Sequence, residues 1–380
     1  MKIVTAIDSF KGSLSSVEAG QAAGEGVLRV YPDCEVVIRP IADGGEGTVD
    51  ALIEGLGGER VTVSVTGPLG DKVDARYGIV DGKTAIMEMS AAAGITLVPE
   101  EKRNPMLTTT YGVGEMIRDA INNGCTNFVI GIGGSATNDG GIGMLQALGF
   151  DILDSEGSAV GYGGMGLKKI AAITNVNVLP EVMSCTFNIA CDVNNPLCGD
   201  LGCSAVYGPQ KGADQEMIRD MDSWLLNYAE LSKNVNPKAD KEAPGSGAAG
   251  GLGFAFRTFL NGTLKPGIEL ILEETMLEEH IKGADLVITG EGRLDAQTAM
   301  GKAPSGVAKI AKKYSLPVLA FSGAVTKDAT ECNKNGIDAF FPVLRKVCAL
   351  DEAMDKDNAY QNVSDTVEQV FRVIKAFKGE

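Results

Sequence analysis

Residues 285–295 read DLVITGEGRLD, and they join an apolar strand to a charged, glycine-rich segment. The run Asp285–Thr289 lacks polar alternation, which is typical of a strand that is buried on both faces in a parallel sheet. Two similar runs occur at Phe128–Ile132 and Pro317–Phe321, each followed by Gly-rich or polar residues. Strands of this kind, separated by helical patterns, predict an α/β protein with helices that cover a parallel sheet.

The N-terminal region shows the same alternation of strands and helices. A strand at Lys2–Ile7 precedes a helix over about residues 16–31, and a strand at Glu35–Pro40 precedes a helix over about residues 47–56. The tail from residue 285 onward again reads βαβ, so we expect it to rejoin the first sheet.

The stretch after Arg60 differs, because its strands adjoin one another. Val61–Val65, Asp74–Val80 and Thr84–Met89 read as neighbouring strands, with Asp81-Gly82 as a hairpin turn. The sequence therefore predicts two α/β domains. A Rossmann-like parallel-sheet domain is formed by both chain ends, residues 1–65 and 283–380, and a mixed α/β domain, residues 66–282, is inserted between them.

Composition limits the function. The chain has 380 residues, of which 44% are hydrophobic, and a formal net charge of −16, which argues against nucleic acid or an anionic membrane as a partner. The single histidine, His280, excludes Ser-His-Asp catalysis and histidine-based zinc sites. Eight cysteines without a CxxC pair indicate free thiols in a reducing compartment. With neither a signal peptide nor a membrane-spanning run in the pattern, we expect a cytoplasmic enzyme.

Two loops near the N-terminus carry charge. Residues 8–13 read DSFKGS, in which Lys11 either neutralises a phosphate or carboxylate or is a solvated loop lysine. Residues 42–48 read ADGGEGT, so that two carboxylates flank paired glycines at a predicted helix start. The acids favour the helix dipole, whereas the paired glycines indicate close approach of the backbone to a ligand.

Two further loops lie in the middle of the chain. Residues 131–141 read GIGGSATNDGG, and a strand that runs into Gly, Ser and Thr at a helix start provides a cradle for an anion. A tight strand-to-helix turn is the alternative, but it needs fewer glycines. Residues 191–196 read CDVNNP, in which Asp192 and Asn194 either hold a magnesium ion, orient a hydroxyl or form an Asx turn.

The strongest local signal is the segment 289–302, TGEGRLDAQTAMGK. It combines two acids, two cations and several hydroxyls after a buried strand, at the edge of the sheet where open α/β proteins bind their ligands. A loop with a purely structural role does not require so many charged residues next to glycines.

Two segments resemble known nucleotide-binding motifs but lack the strand and helix context that those motifs require. Residues 245–250 match GxGxxG but follow a polar stretch, so they read as the start of a helix near Gly253–Leu260 and not as a dinucleotide fingerprint. Residues 82–84, GKT, resemble the end of a phosphate-binding loop, yet Gly78 is one position too close and the segment reads as a hairpin.

Anion cradles, carboxylates and loop cations, without histidine or metal-thiolate sites, are what phosphoryl transfer requires. From the residues alone, the sequence indicates a phosphate-handling α/β enzyme.

A resemblance extends this interpretation. The segments 8–13, 42–48, 131–141, 207–213 (YGPQKGA) and 289–302 closely resemble the bacterial glycerate kinase family associated with glyoxylate and glucarate catabolism. The likeness runs in order from Met1 to the last helix. It implies ATP-dependent, Mg²⁺-assisted phosphorylation of D-glycerate in a cleft between two α/β domains, with 2-phosphoglycerate as the usual product and 3-phosphoglycerate as the competing one.

The residue roles that follow are hypotheses. One Asp helps the substrate hydroxyl to lose its proton, another acid holds Mg²⁺, and cations balance phosphate or carboxylate charge. The candidates are, for catalysis, Asp192, Arg293 and Lys11; for substrate or phosphate binding, Ser9, Asp43, Gly44, Gly45, Glu46, Gly133, Gly134, Ser135, Glu291 and Lys302; and for metal binding, Asp43 and Asp295.

Two other classes of protein share some of these features. A nicotinamide-dependent hydroxyacid dehydrogenase has a similar architecture and an anionic substrate, but the dinucleotide fingerprint and a suitably placed histidine are missing. A non-catalytic ligand-binding protein does not explain the charges of residues 291–302. ATP and D-glycerate are the expected small-molecule partners. A homo-oligomer is compatible with the sequence, which leaves the oligomeric state open.

Overall fold

The computed structural model describes residues 1–42 and 48–379, and the chain divides into two compact units. The terminal unit comprises Met1–Gly57 and Ile268–Glu380, and the middle unit comprises Gly58–Gly267.

The described strands are, in chain order, β1 (Lys2–Ile7), β2 (Glu35–Ile38), β3 (Glu59–Thr66), β4 (Lys72–Val80), β5 (Thr84–Glu88), β6 (Asn127–Gly131), β7 (Asp151–Leu153), β8 (Ala172–Thr174), β9 (Thr186–Ala190), β10 (Thr263–Lys265), β11 (Leu286–Leu294), β12 (Val318–Val325) and β13 (Ala339–Pro342).

The described α-helices are α1 (Ser16–Leu28), α2 (Thr48–Leu56), α3 (Ser90–Ala93), α4 (Tyr111–Asn122), α5 (Ile142–Ala147), α6 (Gly164–Leu167), α7 (Pro180–Ser184), α8 (Cys203–Tyr207), α9 (Gln215–Ser232), α10 (Ala248–Phe259), α11 (Gly267–Glu274), α12 (Leu277–Ile281), α13 (Ala296–Ala299), α14 (Ala303–Lys313), α15 (Glu331–Lys334), α16 (Leu350–Met354) and α17 (Lys356–Lys378).

The sheet of the terminal unit is parallel and has the strand order β13-β12-β11-β1-β2. The chain winds outward from β1 to β2 in one direction, and outward from β11 to β12 and β13 in the other. The topological switch point therefore lies between β1 and β11, as in the flavodoxin-like order of doubly wound sheets and not as in the Rossmann order. Lys2–Ile7 and Asp285–Thr289 belong to one sheet, as the sequence predicts, since Ile3 pairs with Leu286 and Ile7 with Gly290.

Helix α1 explains part of the glycine excess. Its start is fixed by a capping box, in which the Ser15 hydroxyl accepts from the Glu18 backbone N–H and the Glu18 carboxylate accepts from the Ser15 backbone N–H. A Cβ at Gly26 would lie 2.3 Å from the Ser364 carbonyl oxygen of α17, so only glycine allows the two helices to pack this closely. Such glycines serve helix packing and not ligand binding.

The middle unit contains a mixed sheet of order β10-β9-β6-β5-β4-β3. Its first four strands run parallel, and β4 is antiparallel to both neighbours. Asp81 and Gly82 have positive φ angles of 55° and 63°, which confirms the predicted turn between β4 and β5. Phe128 and Phe187, on adjacent strands, stack at a centroid distance of 4.9 Å in the core of this unit.

Two details of the sequence prediction need correction. The first unit boundary falls after residue 57 and not after 65, because β3 pairs with β4 in the middle sheet. The second falls after residue 267 and not after 282, because α11 packs against α14, where a Cβ at Gly306 would lie 2.8 Å from Ile268 Cγ1. The charged segment after Thr289 is also not a loop up to Asp295, since β11 extends to Leu294 through its pairing with β12.

None of the helices in residues 1–42 and 48–379 is long and apolar enough to cross a membrane. The eight cysteines, all within these residues, are free thiols.

Candidate active site

A cavity of about 410 Å³ lies at the carboxyl ends of the parallel strands of the terminal unit. The segment after β1 contributes Asp8, Ser9, Phe10, Lys11 and Ser13. The end of β11 and the residue that follows it contribute Glu291, Gly292, Arg293 and Asp295. These are the two strands that flank the switch point. A doubly wound sheet binds its ligand at this position, because the adjoining connections leave in opposite directions and open a crevice.

The polar part of the cavity carries three cationic side chains: Lys11, Arg293 and Lys302. The Arg293 side chain is 66% exposed, and its Nε lies 3.8 Å from Asp295 Oδ2. Lys302 Nζ lies 3.8 Å from Asp295 Oδ1. Both distances are longer than a hydrogen bond, so the guanidinium and the ammonium group are held near Asp295 and can still donate to an anion in the cavity.

Three carboxylates line the same cavity. Asp8 and Glu291 are buried, and Asp8 Oδ1 accepts from the backbone N–H of Ser9 at 2.6 Å. Glu291 Oε1 accepts from the Thr298 hydroxyl at 2.6 Å. Asp295 Oδ1 accepts from the backbone N–H groups of Gln297 and Thr298, and thus caps the short helix α13.

Glycine keeps the floor of the cavity open where β11 and β12 meet. A Cβ at Gly323 would lie 2.8 Å from the Gly292 carbonyl oxygen and 3.9 Å from the Phe10 ring. A larger residue at position 323 would therefore collide with the backbone of β11 at Gly292.

The remaining lining of the cavity is mostly apolar and comes from the connection that leads from β13 into α17. Its members are Val343, Leu344, Leu350, Ala353, Met354 and Ala359, joined by Phe10 after β1 and by the amide of Asn362. The cavity thus combines a charged part and an apolar part.

The other predicted site residues with described positions belong to the middle unit. Gly133, Gly134 and Ser135 follow β6, and Asp192 follows the adjacent strand β9. Gly133 and Gly134 are exposed, and Ser135 is buried. Asp192 is exposed, and its Oδ1 accepts from the Gly267 backbone N–H at 2.9 Å.

A buried lysine, Lys211, donates hydrogen bonds to the glycine-rich loop that follows β6. Lys211 is 2% exposed, and its Nζ donates to the Ser135 hydroxyl and to the Thr137 carbonyl oxygen, both at 2.7 Å. Burial lowers the pKa of Lys211 to about 8. The two hydrogen bonds hold the backbone of residues 135–137 in one conformation.

Asp139 fixes the far end of the same loop. Its Oδ2 accepts from the backbone N–H and the hydroxyl of Thr110, at 2.8 and 2.9 Å, and its Oδ1 accepts from the Gly141 backbone N–H at 3.0 Å. Complete burial raises the pKa of Asp139, and the hydrogen bonds from Thr110 and Gly141 oppose this rise.

The structure therefore brings Ser9, Lys11, Glu291, Arg293, Asp295 and Lys302 together in one cavity of the terminal unit. Gly133, Gly134, Ser135 and Asp192 lie on adjacent strand ends of the middle unit. Asp43, Gly44, Gly45 and Glu46 lie outside the described residues.

Sequence reasoning gave no role to three features. Asp8 belongs to the charged segment 8–13, but its burial just after β1 is a tertiary property. Lys211 lies in the run 207–213, YGPQKGA, and a lysine so close to proline and glycine residues is the signal that the sequence offers. The apolar residues after β13 carried no signal, because isolated apolar residues in a connection are ordinary.

Oxygen ligands for a divalent cation are present at the cavity. Magnesium at phosphate-binding sites is held by one or two carboxylates together with the phosphates, and Asp8 and Asp295 are carboxylates of the lining that could serve as such ligands. Within the described residues, no three His, Cys, Asp or Glu side chains form a group that could hold a metal ion on their own.

A model of the glycerate kinase family matches residues 3–375, which is nearly the whole chain. This chain belongs to the glycerate kinase family. It is therefore an enzyme that phosphorylates glycerate, and the dehydrogenase alternative is not supported.

Individual relatives agree with this family assignment. The kinase is 50% identical to glycerate 2-kinase of Escherichia coli (strain K12), over 96% of this chain and 95% of the relative. It is 47% identical to a glycerate kinase of Haemophilus influenzae, over the full length of both chains. It is also similar to the crystal structure of a chain assigned as glycerate kinase 2 from Salmonella typhimurium LT2, with a TM-score of 0.92, 45% identity and complete coverage of both chains.

Proposed function

We propose that the enzyme transfers the γ-phosphoryl group of ATP to D-glycerate, with Mg²⁺, and forms 2-phosphoglycerate. The observation that carries this proposal is the cavity at the β1–β11 switch point, where Lys11, Arg293 and Lys302 stand beside buried carboxylates. A net charge of −16 makes such a local group of cations informative, because a protein of this charge repels anions on average.

The cations balance the negative charge that moves during phosphoryl transfer. In this reaction, charge spreads over the oxygens of the transferred group, and catalysis consists mainly of positioning and charge stabilisation. Arg293 offers a planar set of donors that matches two oxygens at once, whereas Lys11 and Lys302 act as point charges. Ser9 and Glu291 then complete the polar lining, and Glu291 holds Thr298 in place.

Mg²⁺ would be held by Asp295, by Asp8 and by the Asp43 of the sequence prediction, and it would neutralise phosphate charge when bound. Asp295 uses Oδ1 for the cap of α13, so Oδ2 is the atom that remains for this purpose.

The glycerate hydroxyl needs a base as it attacks, and we assign this role to Asp192. Its carboxylate is exposed, and a single hydrogen bond from Gly267 orients it. Gly133, Gly134 and Ser135 form the anion cradle of the same unit, with Lys211 and Asp139 as supports for its conformation.

The position of phosphorylation is supported by a relative, since the Escherichia coli chain at 50% identity bears the name glycerate 2-kinase. Phosphorylation at the 3-hydroxyl is the competing outcome. The cytoplasmic location of the enzyme stays a prediction.

Phosphorus NMR of the product tests the reaction and its position together. The purified enzyme is incubated with ATP and D-glycerate, with Mg²⁺ and again after chelation of Mg²⁺. We expect 2-phosphoglycerate and ADP in the first reaction and neither in the second. 3-Phosphoglycerate alone would keep the kinase and reject the position, and unchanged glycerate with folded enzyme would reject the proposal.

A further inference from the structure

The cavity of the terminal unit has a charged part and an apolar part, and glycerate matches only the charged part. A three-carbon hydroxyacid is polar at every carbon, so it gains little from contact with Leu344, Leu350 and Met354. The volume of about 410 Å³ lies in the range of about 300–1,000 Å³ that encloses ligands much larger than glycerate.

We propose that the apolar part of this cavity binds the purine base of the nucleotide, which makes the cavity the ATP site of the enzyme. This inference rests on the proposed function in one respect, namely that ATP is the donor. A nucleoside triphosphate has an apolar, flat base at one end and a chain of charged phosphates at the other. The cavity offers a matching division, with apolar side chains after β13 and cations near the ends of β1 and β11.

Leu350 is the residue of the apolar part whose exposure to water bears most directly on ligand binding. It lies at the start of α16 with 74% of the residue exposed, although it lines a cavity. A ligand that covers this side chain removes apolar surface from water, and each Å² of apolar surface buried in this way favours binding by about 25 cal/mol.

The position of α16 is defined by neighbours on the other side of the cavity. A Cβ at Gly12 would lie 2.9 Å from Met354 Cε, so the segment after β1 and the end of α16 are in contact. The segment that carries Lys11 therefore lies next to the apolar part, and one ligand can reach both.

Asn362 adds a polar group at the apolar part. It lines the cavity from α17, and its Oδ1 accepts from Arg345 Nε at 3.1 Å. Since the oxygen is engaged, the NH₂ group is the part of the amide that remains to donate to a ring nitrogen of the base.

Binding of adenosine tests the inference without phosphates and without turnover. Adenosine is titrated by calorimetry into the wild-type enzyme and into three variants: Leu350→Asp, Val347→Asp and Arg293→Ala. Val347 is the matched control, because it lies in the same connection, is fully exposed and does not line the cavity.

We expect Leu350→Asp to weaken adenosine binding at least tenfold, and Val347→Asp and Arg293→Ala to leave it unchanged. Thermal unfolding confirms that the variants are folded. Adenosine binding that is insensitive to Leu350→Asp, or that is undetectable at millimolar concentration while ATP has a measurable KM, would overturn the inference.

Steady-state kinetics separate this inference from the proposed function. Leu350→Asp should raise the KM for ATP at least tenfold and leave the KM for D-glycerate unchanged. A raised KM for D-glycerate alone would assign the apolar part to the acceptor and overturn the inference, while the kinase proposal stands. Adenosine binding with the expected pattern, but without phosphorylation of glycerate, would reject the proposed function and support the purine site.

Discussion

Replacement of Arg293 with alanine separates a role in chemistry from a role in stability. The side chain is 66% exposed, and its Nε is 3.8 Å from Asp295 Oδ2. Exposed ion pairs contribute about 0–1 kcal/mol to folding. We therefore expect the free energy of unfolding of Arg293→Ala to fall by less than about 1 kcal/mol.

The expected effect on catalysis is larger. Removal of one preorganised donor to a developing negative charge costs about 2.7–4 kcal/mol of transition-state stabilisation. A loss on the order of 3 kcal/mol corresponds to a decrease of at least about a hundredfold in kcat/KM. Arg293→Lys should restore little of it, because an ammonium group cannot donate to two oxygens in the same plane.

The assay couples ADP formation to a spectroscopic readout, with melting temperature measured on the same preparation. Arg372→Ala is the matched control: Arg372 is 58% exposed, lies on α17 in the same unit and pairs with Glu368 at 2.7 Å, but does not line the cavity. Its kcat/KM should stay near that of the wild type.

Two results would refute this reasoning. A near-normal kcat/KM for Arg293→Ala would remove Arg293 from the site. A lowered melting temperature, with near-normal activity at low temperature, would show that Arg293 only shapes the end of β11 through Asp295.

Three further predictions follow from single contacts. Asp295→Ala should lower the free energy of unfolding by about 1 kcal/mol through loss of the α13 cap, whereas Asp295→Asn should keep the cap. Both variants should lose kinase activity. Retained activity in Asp295→Asn would exclude a role for the charge of Asp295. The pKa of Lys211 is lowered to about 8, below the value of about 10.4 in an unfolded chain, so between these values the unfolded state binds more protons and the Lys211 contribution to stability rises with pH. Between pH 8 and 10, the free energy of unfolding measured with urea should therefore rise more for the wild type than for Lys211→Met, by up to about 1.4 kcal/mol per pH unit. A difference between the two proteins that does not change with pH would contradict the lowered pKa of Lys211. Gly26→Ala should lower the free energy of unfolding by at least about 1 kcal/mol, despite the better helix propensity of alanine, because its Cβ would lie 2.3 Å from the Ser364 carbonyl oxygen; an unchanged melting temperature would disprove this close contact.

The sequence by itself determined the local elements of this protein and the chemistry it can perform. The strand Lys2–Ile7 is predicted at the bounds that the structure has, because a mostly apolar run is typical of a strand that is buried on both faces. Glycines, acids and cations at the ends of strands indicated phosphate chemistry, since the residue types alone exclude most other mechanisms.

Only the tertiary structure decided which of these groups meet. The pairing of β1 with β11 joins residues more than 280 positions apart, and no local pattern encodes such a register. This pairing places Lys11 beside Arg293 in one cavity, and it leaves Asp192 in the other unit.

The sequence also did not indicate which charged side chains the fold buries. Lys211 reads as a surface lysine in a glycine-rich run, yet the fold encloses it beneath Ser135. Arg293 reads as part of a loop, yet hydrogen bonding to β12 keeps it in a strand, because a sheet can extend through polar residues wherever a partner strand supplies the hydrogen bonds. Periodicity and residue type are properties of neighbouring positions, whereas enclosure and strand pairing depend on distant segments, and these alone place the side chains of the cavity.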